Sequence, residues 1–309
     1  MTARADAGWP DLPLADWQDT YATLHMWTQI VGKTRLALAP MVNHWWQVPL
    51  YVSARGLTTS RMPYDARGIE VELDFVAHEL TVDADDGARW SMALAPRSVA
   101  DFYSAYMTGL RSLDLDVRFW PHPVEVKEAI PFPDDDTHRS YDAAAATRFW
   151  RALAQADRVL NTFRGRYVGK CSPVHFFWGS FDLACTRFSG RLAPEHPGGI
   201  PNLGDWVARE AYSHECISAG WWPGTIGGAV GEAAFYAYAY PEPDGCSEAP
   251  IRPRAGRYDR ALREWVLPYD AVRTASDPDS MLLEFLESTY ETAADLGGWP
   301  RATLERSPR

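Results

Sequence analysis

Three histidines stand in aromatic, strand-like surroundings: His44 in "APMVNHWW", His175 in "SPVHFFW" and His214 in "YSHEC". Three imidazoles carried on separate strands can hold zinc or iron and leave one position open for water or substrate. They can also serve as general acids and bases without a metal. No H-x-H or H-E-x-x-H spacing accompanies them, so the metal reading competes with three hydrogen-bonded core histidines. In "YSHEC" the period-two alternation sends His214 and Glu215 to opposite faces, which keeps both off one ion unless a bulge intervenes. Glu215 is then a proton-transfer candidate beside the site.

The stretch "HFFWGSFDLACTR", read as one regular strand, puts His175, Phe177, Phe181, Leu183 and Arg187 on one face. Phe176, Trp178, Asp182 and Phe188 fall on the other. A face with His175 and Arg187 amid apolar groups would aim two polar groups at an anionic ligand. The competing reading pairs Arg187 with a buried carboxylate. In "AFYAYAY", small alanines alternate with Tyr236, Tyr238 and Tyr240, leaving space beside a phenol layer that suits a planar ligand or a packed core. "SAGWWPGTIGG" is a Gly/Pro-rich candidate lid that carries Trp222. Trp178, Trp222 and Tyr238 are the expected pocket walls.

Other chemistries are excluded by spacing. A phosphate loop needs G-x-x-x-x-G-K-[ST] between a strand and a helix, but Gly32-Lys33 and Gly169-Lys170 both follow helical patterns. These glycines read as helix stops, with Lys complementing the helix dipole. G-x-S-x-G is absent. Glu70, Glu72 and Asp74 alternate with Val71, Leu73 and Phe75, which is a solvated sheet face and not a catalytic dyad.

The elements that would position the histidines form a pattern written twice. Trp17, Tyr21, Leu24, Thr28 and Val31 make a helical stripe, as do Phe149, Leu153, Ala156, Leu160, Phe163 and Tyr167. Strand candidates follow each: "IEVELDF", "HELTVDA" and "RWSMALAP", then "REAYSHECISAG", "AAFYAYAY" and "REWVLP". A second helix closes each half, with Ser98 and Asp277 as N-caps and Gly297 as a stop. "FWPHPVEVKEAIPFPDDDTHRS" between the halves reads as a strand and then a linker. The expected fold is α+β, a tandem pseudo-repeat of helix, antiparallel strands and helix, divided into 1–133 and 134–309. Such a repeat brings equivalent residues toward one cleft.

Composition narrows the partners. Lys+Arg of 30 against Asp+Glu of 41 gives a net charge of -11, without a basic stripe, which argues against nucleic acid. No window reaches the roughly 20 apolar residues of a membrane helix, so no membrane partner is expected. Cys171, Cys185, Cys216 and Cys246 show no C-x-x-C pair and suit reduced thiols in the cytoplasm.

"WTQIVGKTRLALAPMVNHWWQVPLYVSARGLTT", "GKCSPVHFFWGSFDLACTRFSGR" and "AFYAYAYPEP" together resemble a bacterial family designated domain of unknown function 5996, over nearly the whole chain. The resemblance implies a bacterial, cytosolic setting and assigns no catalytic residue. The expectation is a small-molecule enzyme with an aromatic, His-lined pocket in or between the halves. His44, His175 and His214 would act as metal ligands or acid/base groups, His175 with Glu215 and Arg187 in catalysis. The alternatives are a non-catalytic binding protein for an aromatic or amphipathic small molecule, and a homo-oligomeric scaffold whose repeat serves subunit contact.

Overall fold

The first helix runs through its glycine instead of ending there. α1 spans Gln18–Leu38, and Gly32-Lys33 lie inside it. The stop comes at Ala39, extended at φ -77° and ψ 133° because Pro40 follows and disfavours the helical region. Gly32 serves packing: a Cβ there would overlap the indole of Trp178. α1 is buried on nearly every side from Thr20 to Arg35, as a central helix must be.

The computed structural model describes residues 8–225 and 230–306. After α1 come β1 (Tyr51–Val52), β2 (Gly56–Thr58), β3 (Met62–Tyr64), β4 (Arg67–Asp74), β5 (Glu79–Ala84) and β6 (Arg89–Ala93), then α2 (Val99–Ser112). α3 (Ala143–Gly165) leads to β7 (His175–Phe177), β8 (Asp182–Leu192), α4 (Asp205–Ala211), β9 (His214–Trp222) and β10 (Ala234–Tyr240). The chain closes with β11 (Arg257–Asp259), β12 (Glu264–Pro268), α5 (Tyr269–Arg273), α6 (Pro278–Leu296) and α7 (Arg301–Leu304). The fold is α+β, as the sequence predicts. Ser98, Asp142 and Asp277 each cap a helix by accepting from the backbone N–H three residues on.

Two antiparallel sheets result, ordered β1-β2-β4-β5-β6 with β3 beside β4, and β11-β12-β10-β9-β8-β7. They meet where Leu50 and Phe176 exchange backbone hydrogen bonds of 2.9 and 2.7 Å. Phe176 directly follows His175, whereas Leu50 lies six residues beyond His44. His44 and His175 therefore do not occupy matching places relative to this junction, and the second strand set, unlike the first, is interrupted by a helix, α4. The larger of the buried clusters among the described residues runs from Leu12 to Trp299 and draws on both sheets.

Several local expectations change. The segment after Trp120 contains no strand, only a 3-10 turn at Phe132–Asp134. Pro121, Pro123, Pro131 and Pro133 remove the donors a ladder needs. "REAYSHEC" divides into the end of α4 and the start of β9. "HFFWGSFD" is two strands around a turn, with Phe181 at φ +60°. Residues 226–228 of the Gly/Pro-rich loop lie outside the described residues. No helix among the described residues is long and apolar enough to cross a membrane.

Gly32→Ala tests the packing at α1. It gains up to about 1 kcal/mol of helix propensity but drives a methyl into Trp178, at a cost of roughly 1–3 kcal/mol for overpacking. The expected net effect is a lower midpoint in chemical denaturation, with quenched or shifted indole fluorescence.

Candidate functional site

Alternation on the second sheet builds a pocket. Even-numbered residues of β8 (Asp182, Ala184, Thr186, Phe188), β9 (Cys216, Ser218) and β10 (Tyr236, Tyr238) all face it. The small side chains in the middle of that face leave a cavity of about 410 Å³, which is the size of small-molecule sites. Odd-numbered Leu183, Cys185 and Arg187 turn the other way, toward the face covered by α3 and α6. The roof comes from elsewhere: Lys33 and Leu36 of α1, a 3-10 turn at Asn43–Trp45, the segment Phe119–Glu125, and α4. Trp45 meets Trp206 of α4 edge-on, with ring centroids 5.0 Å apart, and so ties two parts of the roof together. Trp46, Trp120, Trp178 and Phe177 complete a largely aromatic wall.

Two carboxyl groups open into this apolar space. Asp182 accepts hydrogen bonds from the Ser180 hydroxyl and the Tyr236 phenol. Burial nonetheless raises its pKa, outweighing both bonds. Glu125, in a left-handed conformation at φ +63°, rests against Gly179, where a Cβ would strike its carboxylate. Burial, and then the charge of Asp182, pushes Glu125 up to about 7. Glu264 of β12 is likewise pushed up to about 7 by burial and the charges of Asp182 and Asp259. Neither Asp182 nor Glu125 has an ion-pair partner among the described residues. Two phenols, Tyr212 and Tyr238, are joined by a 2.8 Å hydrogen bond.

A polar stripe on α1 positions these groups. His25, Gln29 and Lys33 recur at a spacing of four and share one helix face. The His25 ring N–H donates to the Gly179 carbonyl at 2.8 Å, and burial lowers its pKa to about 4. Gln29 grips Val124 twice, donating to its carbonyl at 3.0 Å and accepting from its N–H at 2.9 Å. Glu125 is the next residue, so Gln29 sets where its carboxyl enters. Lys33 is 2% exposed, with Nζ 5.5 Å from the Trp120 ring and 5.8 Å from the Trp178 ring.

The residues singled out by sequence divide sharply. His44 reaches the pocket: its Nδ1–H donates to the Ala211 carbonyl at 3.0 Å, and Nε2 accepts from Lys170 at 2.6 Å. Burial lowers its pKa, and the charge of Lys170 adds to this, so the ring is neutral. The His214 ring lies 5.7 Å from it, with Nδ1 and the Ser213 hydroxyl 3.1 Å apart. His175 does not join them. It is fully buried beside Tyr51 and Phe177, neither nitrogen finds a hydrogen-bond partner, and burial lowers its pKa to about 3. Among the described residues no three His, Cys, Asp or Glu side chains are grouped to hold a metal ion, so the three-imidazole zinc or iron site is not formed.

Arg187 points away from the pocket. Its guanidinium stacks 3.4 Å from the Phe163 ring centroid, donates to the Phe163 carbonyl and lies 3.5 Å from Glu287. That is a structural carboxylate pairing, with Glu287 half-buried. Glu215 is on the far face of β9, held by Ser189 at 2.9 Å and Arg191 at 2.7 Å. His214 and Glu215 do take opposite faces. Trp178 and Tyr238 line the pocket; Trp222 packs instead on a small cluster of Val230, Ala234 and Val266. Lys33, Glu125 and Gln29 escaped the sequence reading. For Gln29 and Lys33 the signal was the four-residue spacing His25, Gln29, Lys33 on α1; Glu125 had none.

The buried carboxyls make stability depend on pH. With Glu125 raised to about 7, folding favours its protonated form, so its contribution is present below the unfolded value near 4.5 and lost as pH rises through 7. Glu125→Gln removes that dependence. Relative to the unaltered chain, the variant gains on the order of 2 kcal/mol between pH 5 and pH 8, as read from urea unfolding at each pH. No curated protein and no solved structure was found to match the chain. The profile of a family described as of unknown function matches residues 9–306, and the chain belongs to that family, DUF5996.

Proposed function

We propose that the protein is a small-molecule enzyme. Its pocket takes an apolar or planar substrate against the aromatic walls, and Asp182 and Glu125 carry a proton to and from it. One observation carries this reading: two carboxyl groups share an aromatic cavity without a cationic partner among the described residues. Such a pair keeps a proton near neutral pH and can give it up to a bound ligand. Asp182 is held in place by Tyr236 and Ser180, Glu125 through Gln29. The neutral His44 stands at the pocket wall nearest Lys170. Proton transfer of this kind serves isomerisation, dehydration or hydrolysis.

A cytoplasmic setting fits the four free thiols, with Cys171 and Cys185 sulfurs only 3.7 Å apart and unbonded.

The test compares the natural chain with Asp182→Asn, each incubated with a bacterial metabolite extract followed by mass spectrometry. At least one species is consumed by the natural chain and is consumed at least about a hundredfold more slowly by the variant. The same species should still raise the variant's melting temperature. A species that stabilises both chains and is returned unchanged would establish the non-catalytic binding protein instead. Stabilisation by no species at all would remove the pocket from consideration.

A further inference from the structure

The chain has three lysines, Lys33, Lys127 and Lys170, so arginine supplies nearly all of its 30 cationic side chains. Lysine is thus reserved for few places, and one of them is inside the pocket. Lys33 faces the cavity from α1 and is 2% exposed. Its Nζ makes no hydrogen bond and no ion pair among the described residues. Its neighbours are the rings of Trp120 and Trp178. A side chain kept only for its charge would be paired or solvated, and arginine would serve as well. An amine desolvated among apolar groups is different, because it can lose its proton and become a nucleophile, which a guanidinium cannot.

We propose that Lys33 captures a carbonyl substrate: its amine condenses with an aldehyde or ketone held in the aromatic pocket to form an imine. This rests on reading the pocket as a small-molecule site and names the substrate class of that site. The neutral amine adds to the carbonyl carbon, and the nitrogen passes its proton to the carbonyl oxygen through a pocket carboxyl or water. The resulting carbinolamine loses its hydroxyl, with one more proton, as water. One C=N bond replaces one C=O bond, no oxidant or reductant is consumed, and addition of water regenerates the amine. Burial lowers the Lys33 pKa to about 8, which leaves a usable neutral fraction near physiological pH.

The experiment uses the full chain, benzaldehyde as probe and cyanoborohydride to reduce any imine to a stable benzylamine, with peptide mapping of the three lysines. At neutral pH Lys33 should acquire one benzyl group at least about tenfold faster than Lys127. Unfolding in urea should abolish that preference. Lys33→Arg, checked for folding by its thermal transition, keeps the charge and should lose the label at this position along with turnover of any carbonyl compound found in the extract. Labelling of Lys127 or Lys170 at an equal or higher rate, with Lys33 unmodified in the folded chain, would overturn the proposal. If that occurs while Asp182→Asn still abolishes turnover of some metabolite, the imine is wrong and the proton-transfer pocket stands.

Discussion

The contact between Gly32 and the indole of Trp178 governs how the pocket is made. Without a side chain at position 32 the ring lies directly on the backbone of α1, and its Nε1–H reaches the Val48 carbonyl at 2.8 Å. This fixes the turn between β7 and β8 against the central helix. It also fixes the loop that enters the first sheet. The same face of α1 holds Gly179 through His25 and Val124 through Gln29. One helix thereby aligns three separate chain segments, and each brings a pocket residue with it.

That alignment has an electrostatic cost. Carboxyls and an amine lie among aromatic rings with no ion-pair partner among the described residues, in surroundings where an unpaired charge is expensive. Left-handed backbone at His44, Trp45 and Glu125 adds strain at the same place. Arg187 shows the opposite solution elsewhere in the fold: a buried charge stacked on three rings and paired with Glu287. The contrast separates a charge paired within the core from groups that, on the proposed reading, a ligand would meet.

The sequence was informative wherever neighbours along the chain decide the outcome. Alternation in "DLACTRF" and "AFYAYAY" correctly set Asp182 and Phe188 apart from Arg187, and Tyr238 apart from the alanines. Caps at Ser98 and Asp277 were legible because the capping bond spans only three residues. The glycine at 32 misled, since a helix stop and a packing glycine are written with the same letter. Only the ring arriving from position 178 distinguishes them.

Residue order by itself therefore determined the α+β class, most of the strands and their faces, and the family to which the chain belongs. It could not decide which polar groups share a cavity. His44 and His214 became neighbours and His175 did not, because a turn at Phe181 split an expected single strand and the sheets met at Leu50 and Phe176. Lys33, Glu125 and Asp182 lie far apart in the chain, and nothing local says that they meet. Their convergence depends on long-range packing against α1, and their altered acidity depends on the water that packing removes.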